Sequence, residues 1–495
     1  MPEAATIGAR HPSPGICMAS CPTPEPGTGA ILPSTLSATA LRHLYASRAL
    51  SPVEVLRDVL ARIDRVTPRI NAIVTPDPGA MEAARRSEAR WAEGRPAGPL
   101  DGVPLTVKDN IAVAGLRCCW GSAAFRDHVP ARDELPVVRL RAGGAVILGK
   151  TNVPEFTLEG HTDNALFGPT RNPWDPRLTP GGSSGGAVAA VAAGLGPLAL
   201  GTDGGGSIRR PASHTGLVGL KPTPGRVPRA YGLPAILLDL EVIGPIARTT
   251  ADAAALLAAI AEPAPLEDPA SRGFTTFALP EAPPRLRIRY VPRFGEHPVD
   301  PGIAASVAGA ARRLAALGHA VEEGPPPFEP EAVLPLFGTI GAAGLAWLLG
   351  SLPGNPAPAS PALLAMAEAG RALSAGQLMA ALDAMAAFRR GMTCFLAAGC
   401  DALLTPAAAA LPWPAHESHP PMIDDRPAGS RGHAVFTNFA NLAGLPGIAL
   451  PCDPVAGLPV GFQLVGAPGA DAALLAVAAE YEAAHPWADR WPEAA

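Results

Sequence analysis

Short, almost wholly apolar runs alternate along this chain with longer stretches whose apolar residues recur every three or four positions. The runs "PLTVK", "AVILGKT", "PLALGTD", "GLVGLK", "LRIRYV", "HAVEEG", "ALLTP", "LPGIALP" and "LPVGFQLVG" predict strands. Most lack polar alternation, so both of their faces are buried. Between them, residues 34–66 predict two helices. The second opens on "SPVE", with Ser51 as N-cap, Pro52 at the first helical position and Glu54 closing a capping box. "ELPVVRLRAGG" predicts a helix stopped by glycine, residues 187–194 an Ala-rich helix, and "TTADAAALLAAIAE" a capped one. A further helix is expected over about 301–317, and one more closes the chain. Strands alternating with helices place the chain in the α/β class: a single large mixed, mostly parallel twisted sheet covered by helices on both faces. Residues 330–400 are mostly helical and Ala-rich and read as an insert that shapes a substrate pocket within a domain spanning 34–490. Residues 1–33, rich in Pro, Gly and Ser, read as a loosely ordered leader.

Composition narrows this picture. A chain of 495 residues with 48% apolar side chains can bury a large core. Its formal net charge of −5 and the lack of a basic block argue against a nucleic-acid partner held through phosphate neutralisation. Seven cysteines, an odd number spread over a long chain, argue against a disulfide framework and for the reducing cytoplasm. The first 30 residues lack a basic segment followed by an apolar one, so no signal peptide is expected. Cys17 and Cys21 have no further Cys/His pair at ligand spacing, so no metal is expected. The most apolar stretch, 334–352, approaches the length of a membrane span. Pro335, several glycines and the absence of basic flanks make it a buried or pocket-lining helix instead.

Three motifs compete for the chemistry. "GAVILGKT", Gly144 to Thr151, satisfies the phosphate-loop pattern letter for letter. Its inner residues Ala145, Val146, Ile147 and Leu148 favour an extended buried backbone rather than a loop whose N–H groups converge. Gly181, Ser183 and Gly185 fit the G-x-S-x-G nucleophile elbow, which needs a strand immediately before the serine. "NPWDPRLTPGG" carries three prolines there and cannot be a central strand. A flexible linker is excluded too, because "GGSSGG" runs straight into an apolar helix inside a continuous α/β pattern. The remaining combination is Lys108 in "PLTVKDN", Ser183 in "GGSSGG" and Ser207 in "GTDGGGSIRRPAS". Glycines around each serine allow close approach to a ligand. Gly204, Gly205, Gly206 and Ser207 can aim successive N–H groups at one developing oxyanion. A lysine at the end of a buried strand can lose its proton through desolvation and serve as a base.

Together these residues resemble the amidase signature family. "GGSSGGAVAAVAAGLGPLALGTDGGGSIRRPASHTGLVGLKPT" is similar to that family's defining signature over its whole length. "VKDN", "NLAGLPGIALP" and "GLPVGFQLVG" match its other features. The resemblance implies that Ser207 is the nucleophile, Ser183 the proton bridge behind a cis Gly182–Ser183 peptide bond, and Lys108 the general base. It also implies an oxyanion hole at Gly204, Gly205 and Gly206, with Thr202, Asp203 and Arg209 in support. Arg210 and Trp347 are expected to touch substrate. No cofactor is implied. Because "AILLDLEVIGPIART" stands where a glutamyl-tRNA amidotransferase A subunit carries an "SSLDQIGP"-like stretch, a stand-alone amidase is expected. Its substrates would be small amides, with anilides, carbamates (urethanes) and esters beside them. The expected partner is therefore a small-molecule amide or carbamate, with no nucleic acid, no membrane span and a homodimer admissible. Two alternatives stand beside this reading. One is the glutamine-hydrolysing A subunit of a tRNA-dependent amidotransferase. The other, of a different class, is a non-catalytic binding protein on the same fold.

Overall fold

The computed structural model describes residues 32–354 and 356–493. The expected leader over residues 1–33, with Cys17 and Cys21, lies almost entirely outside the described residues. Residues 33–495 group as one compact unit. Its strands are β1 (Ile73–Pro76), β2 (Pro104–Lys108), β3 (Val146–Thr151), β4 (Leu198–Asp203), β5 (Val218–Lys221) and β6 (Val242–Ala247), followed by β7 (Arg287–Tyr290), β8 (Ala320–Glu323), β9 (Ala402–Pro406), β10 (Gly447–Pro451) and β11 (Gly461–Gly466). They form one 11-stranded sheet in the order β1-β3-β2-β4-β6-β5-β10-β11-β9-β7-β8. The mixed sheet read from the sequence is present. Parallel pairs join β2 to β3 and β4, and β7 to β8 and β9. The β4–β6, β5–β6, β5–β10, β10–β11 and β9–β11 pairs between them are antiparallel, as is β1–β3 at the edge.

Alternation along the central strands sorts their side chains into two cores. Ala199 of β4, Ile246 of β6 and Ala449 of β10 pack with Ala187, Val188 and Val191 of helix Gly185–Ala192, and with Ala212 of helix Arg209–Thr215. Leu198, Leu200, Ile243, Ala247, Ile448 and Leu450 point the other way, into the core that holds Leu256, Val307 and Leu475. Small residues dominate the first core, and they let two short helices lie close to the sheet. Gly186 is one such close approach, since a Cβ there would stand 2.4 Å from the Asn152 amide nitrogen. The capping box at Ser51 is formed, and its helix runs Pro52–Ile70. Strand β1, helix Ala80–Ala92 and strand β6 are elements that the hydrophobic pattern did not disclose.

The 330–400 region folds as three helices, Pro330–Ser351, Pro361–Ala372 and Ala375–Ala397. Phe337, Ile340, Leu345, Leu348 and Leu349 of the first pack with Leu363, Ala367 and Met385 of the others. The same cluster takes in Trp120, Phe156, Leu237 and Leu240 from outside this region, so these helices are fastened to the rest of the unit by a shared apolar core. The Pro330–Ser351 helix is long and apolar enough to cross a membrane, and here its buried face is the centre of this second core.

Candidate active site

Lys108 ends β2 and is completely buried. Its Nζ stands 2.7 Å from Ser183 Oγ, 2.8 Å from Thr202 Oγ1 and 3.2 Å from the Thr202 carbonyl oxygen. Burial pushes the lysine down to about 7, against the opposing pull of Glu241 and Asp203. Three partners suit both protonation states. An ammonium donates to all three, whereas a neutral amine donates twice to Thr202 and turns its lone pair toward the Ser183 hydroxyl. The parallel pairing of β2 with β4 brings Lys108 and Thr202 together.

Ser183 sits behind a cis Gly182–Ser183 peptide bond, in the turn that opens helix Gly185–Ala192. No strand precedes it, so it is not an elbow serine. Ser207 lies between β4 and helix Arg209–Thr215 and is 7% exposed, against 1% for Ser183. Among the described residues no hydrogen bond occupies the Ser207 hydroxyl, which faces a narrow pocket lined by Gly204, Gly205, Arg210 and Glu241 on its own side. Thr157, Leu158, Glu159, Leu237, Phe337 and Arg431 form the opposite walls. A larger open groove, near Pro292 and Glu331, holds no serine, lysine or histidine side chain.

The glycine loop is held by one buried ion pair. Asp203 accepts from Gly206 N at 2.6 Å, from Ile208 N at 3.2 Å and from Arg209 Nε and Nη2 at 3.0 Å each. Burial alone would raise this carboxyl, but Arg209, Lys221 and Asn441 together hold it far below the usual carboxylate range. Arg209 also donates to Gln463 Oε1, Asn441 Oδ1 and the Thr437 carbonyl. Gln463 and Asn441 come from the two C-terminal stretches matched in the sequence, so those stretches anchor the loop from behind. Gly206 has φ +109°, and a Cβ there would stand 2.1 Å from Thr437 Oγ1, so only glycine fits.

This geometry amends two expectations. Gly206 does not offer its N–H to an oxyanion, because the Asp203 carboxylate already accepts it. The N–H groups of Gly204, Gly205 and Ser207 carry no hydrogen bond among the described residues. Trp347 does not touch the cavity. It is 57% exposed, on the outer side of the helix whose inner side carries Phe337, Leu345 and Leu348. Arg210 does line the cavity, but its guanidinium is committed to the loop, donating to the Gly205 carbonyl, Thr437 Oγ1 and the Gly182 carbonyl. Lys150 donates to the carbonyls of Ile111 and Asp109 inside β3, a structural position with no phosphate loop around it.

Residues 54–475 match the family model described as Amidase. The chain belongs to the amidase family. Its members hydrolyse amide C–N bonds, and the fold just described is theirs. The chain is 38% identical to the glutamyl-tRNA(Gln) amidotransferase A subunit of Symbiobacterium thermophilum, over 90% of this chain and 96% of that one. It is also 38% identical to the protein of the same name from Moorella thermoacetica, over 92% and 98%. Among solved structures, a bacterial aryl acylamidase of the amidase signature family superposes with a TM-score of 0.84 at 30% identity, covering 91% of this chain and 96% of that chain. A 6-aminohexanoate cyclic dimer hydrolase superposes with a TM-score of 0.80 at 31% identity, covering 93% and 99%.

The amidotransferase matches overturn two expectations. A stand-alone amidase acting on small amides, carbamates or esters is replaced as the main reading, because end-to-end relatives at 36–38% identity carry the amidotransferase name. The exclusion of nucleic acid falls with it, since that name includes a tRNA. Sequence reasoning also missed Asn110, Glu159, Glu241 and Arg431. Asn110 was within reach, two residues past Lys108 in "VKDN". The other three come from loops far apart in sequence and had no local signal.

Proposed function

We propose that this protein is the glutamine-hydrolysing A-type subunit of a tRNA-dependent amidotransferase, working in the cytoplasm. The observation that carries this reading is the end-to-end similarity to proteins of that name, at 36–38% identity over about nine-tenths of the chain. The charge pattern of the cavity supports it. Arg431 donates to the Leu158 carbonyl at 2.8 Å and lies over the Phe337 ring, yet meets no carboxylate at ion-pair distance among the described residues. Glu159 accepts from Ser360 Oγ at 3.1 Å and likewise meets no cation at that distance. An α-amino acid side-chain amide brings one carboxylate and one ammonium to satisfy such a pair.

In this reading Ser207 Oγ attacks the side-chain carbonyl carbon while its proton passes through Ser183 to the Lys108 amine. The N–H groups of Gly204, Gly205 and Ser207 stabilise the oxyanion. Arg210 holds the Gly205 carbonyl turned away so that the neighbouring amides face the cavity. Lys108 returns its proton to the leaving ammonia, and water then hydrolyses the acyl-Ser207 ester by the same route in reverse. The test is ammonia release from glutamine, measured with and without Glu-tRNA(Gln) and the protein partners that co-purify from the native host. Strong stimulation by the complex and the tRNA is expected. Full activity of the isolated chain on glutamine or on other amides would overturn the reading.

A further inference from the structure

A polar chain leads away from the lysine on the side opposite Ser183. Thr202 Oγ1, at 2.8 Å from Lys108 Nζ, also accepts from Asn110 Nδ2 at 3.1 Å. The same Asn110 nitrogen lies 3.4 Å from both carboxylate oxygens of Glu241. Glu241 in turn receives Arg229 Nη1 at 2.9 Å, and Arg229 Nε reaches the buried Glu134 at 2.8 Å. Two carboxylates thus share one guanidinium, and the trio carries one net negative charge. Asp203 and Arg209 cancel each other nearby. The charged groups that face Lys108 are Glu241, Asp203, Arg229 and Arg210.

Lys108 must be neutral to take a proton and charged to return one. In a dry site, its balance between the two forms follows the nearest uncompensated charges. Arg210, committed to the glycine loop, works against the ammonium. Glu241 works for it, joined to the lysine through only two side chains, while Arg229, which Glu241 shares with Glu134, works against it. We propose that Glu241 is a positioning residue for the general base: through Asn110 and Thr202 it fixes the Lys108 amine, and through its shared Arg229 it sets the pH at which the serine can be activated. The proposal rests on Lys108 and Ser207 acting as base and nucleophile, and is independent of which amide is cleaved.

Glu241 also borders the substrate cavity, so the test must not depend on a charged substrate. Phenylmethanesulfonyl fluoride is uncharged and reads the serine alone. Ser207 Oγ bonds to sulfur, fluoride leaves, and the hydroxyl proton passes to Lys108. The second-order labelling rate of the full-length protein is followed by intact mass from pH 5 to pH 9. The wild-type rate should rise through a midpoint near about 7. Glu241→Gln keeps the side chain's size and removes its charge, so the ammonium loses support and the midpoint moves down by about 0.5–1 unit. Labelling on the acid limb becomes roughly 3- to 10-fold faster than wild type at the same pH. Arg229→Gln leaves the carboxylates unopposed and moves the midpoint up. Glu241→Asp returns it toward the wild-type value. A structural role alone would lower rates without moving the two midpoints in opposite directions. If Arg229→Gln does not fold, the Gln and Asp variants at position 241 decide the matter alone. Unmoved midpoints, or a shift of both variants the same way, overturn the proposal and leave the serine mechanism standing. No labelling of wild type at any pH would remove the serine mechanism, and the proposal with it.

Discussion

The floor and the roof of the catalytic cavity are built on opposite rules. On the floor, Lys108, Thr202, Asp203 and Arg209 are fully buried, and almost every polar atom there has a partner. On the roof, Phe337 supplies an apolar wall, while Arg431 and Glu159 stand beside it without ionic partners among the described residues. A buried polar group left unsatisfied costs about 1–3 kcal/mol, so the floor can hold its chemistry rigid only because each group is answered. The roof's two charges have hydrogen bonds but no ion-pair partner among the described residues, which is where the proposed amino-acid amide would add its own charges. In the proposed reading, chemistry resides in the ion-paired layer and selectivity in the layer without ion pairs.

Substitutions on the floor should strike hardest. Ser207→Ala and Lys108→Met are each expected to lower kcat/KM on the order of 10⁴-fold or more while leaving the fold intact, because members of one proton chain fail as a unit. Single-turnover ammonia release together with a melting curve checks this. A loss below tenfold would break the contrast between the two layers. Arg209→Met should act on the same layer through stability. It strands the Asp203 carboxylate in the interior, and breaking a buried pair from one side costs about 3–5 kcal/mol. Denaturant titration should show that loss.

The floor was also the layer that could be read in the sequence. Its glycines, two serines and Asp203–Arg209 pair lie within residues 181–210, and the lysine ends a recognisable strand. Short range made the pattern visible. Lys150 shows that letters alone were insufficient, since it completes a phosphate-loop motif yet sits inside a strand, donating to the Asp109 and Ile111 carbonyls and pairing with the Asp109 carboxylate. The roof was illegible for the opposite reason. Phe337 lies in the 330–400 insert read as shaping the pocket, but Glu159 and Arg431 converge on it from segments far apart in the chain, and nothing local distinguishes them from surface or core residues. Trp347 was drawn in by its aromatic character, although helical phase turns it outward. The choice between a stand-alone enzyme and an amidotransferase component failed similarly. It leaned on the "AILLDLEVIGPIART" stretch, whereas similarity to the amidotransferase relatives runs across the whole chain.

Roof substitutions should change selectivity before they change chemistry. Arg431→Met is expected to raise KM for glutamine by roughly 10- to 100-fold, the worth of a hydrogen bond to a charged group, with a smaller effect on kcat. Steady-state kinetics resolves the two. A fall in kcat alone would move Arg431 to the floor's class.

The pH profile separates the layers more gently. Rate requires neutral Lys108, so kcat/KM should fall about tenfold per unit as pH drops below about 7. Because the folded lysine lies below its ordinary value of 10.5, the unfolded chain binds more protons between about 7 and 10.5, and stability should rise with pH across that window. Lys108→Met removes its share of that rise, whereas Arg431→Met should leave the acid limb where it is. Parallel pH titrations of activity and of denaturant midpoint test both statements.

The smallest effect is expected at Trp347, and it tests the roof's inner boundary. The Pro330–Ser351 helix buries Phe337, Gly341, Leu345 and Leu348, a spacing of three and four that keeps them on one side. Trp347 follows Leu345 by two positions, which turns it about half-way round the helix, to the opposite side and 57% exposure. With little apolar area lost from the core, Trp347→Ala should change stability by no more than about 0.5 kcal/mol. Because its ring does not line the cavity, kcat/KM for glutamine should stay within about twofold of wild type. Phe337→Ala, at 5% exposure on the same helix, should cost about 3–5 kcal/mol. If the two substitutions weakened glutamine hydrolysis equally, the cavity would extend across the helix and the roof would have no outer side.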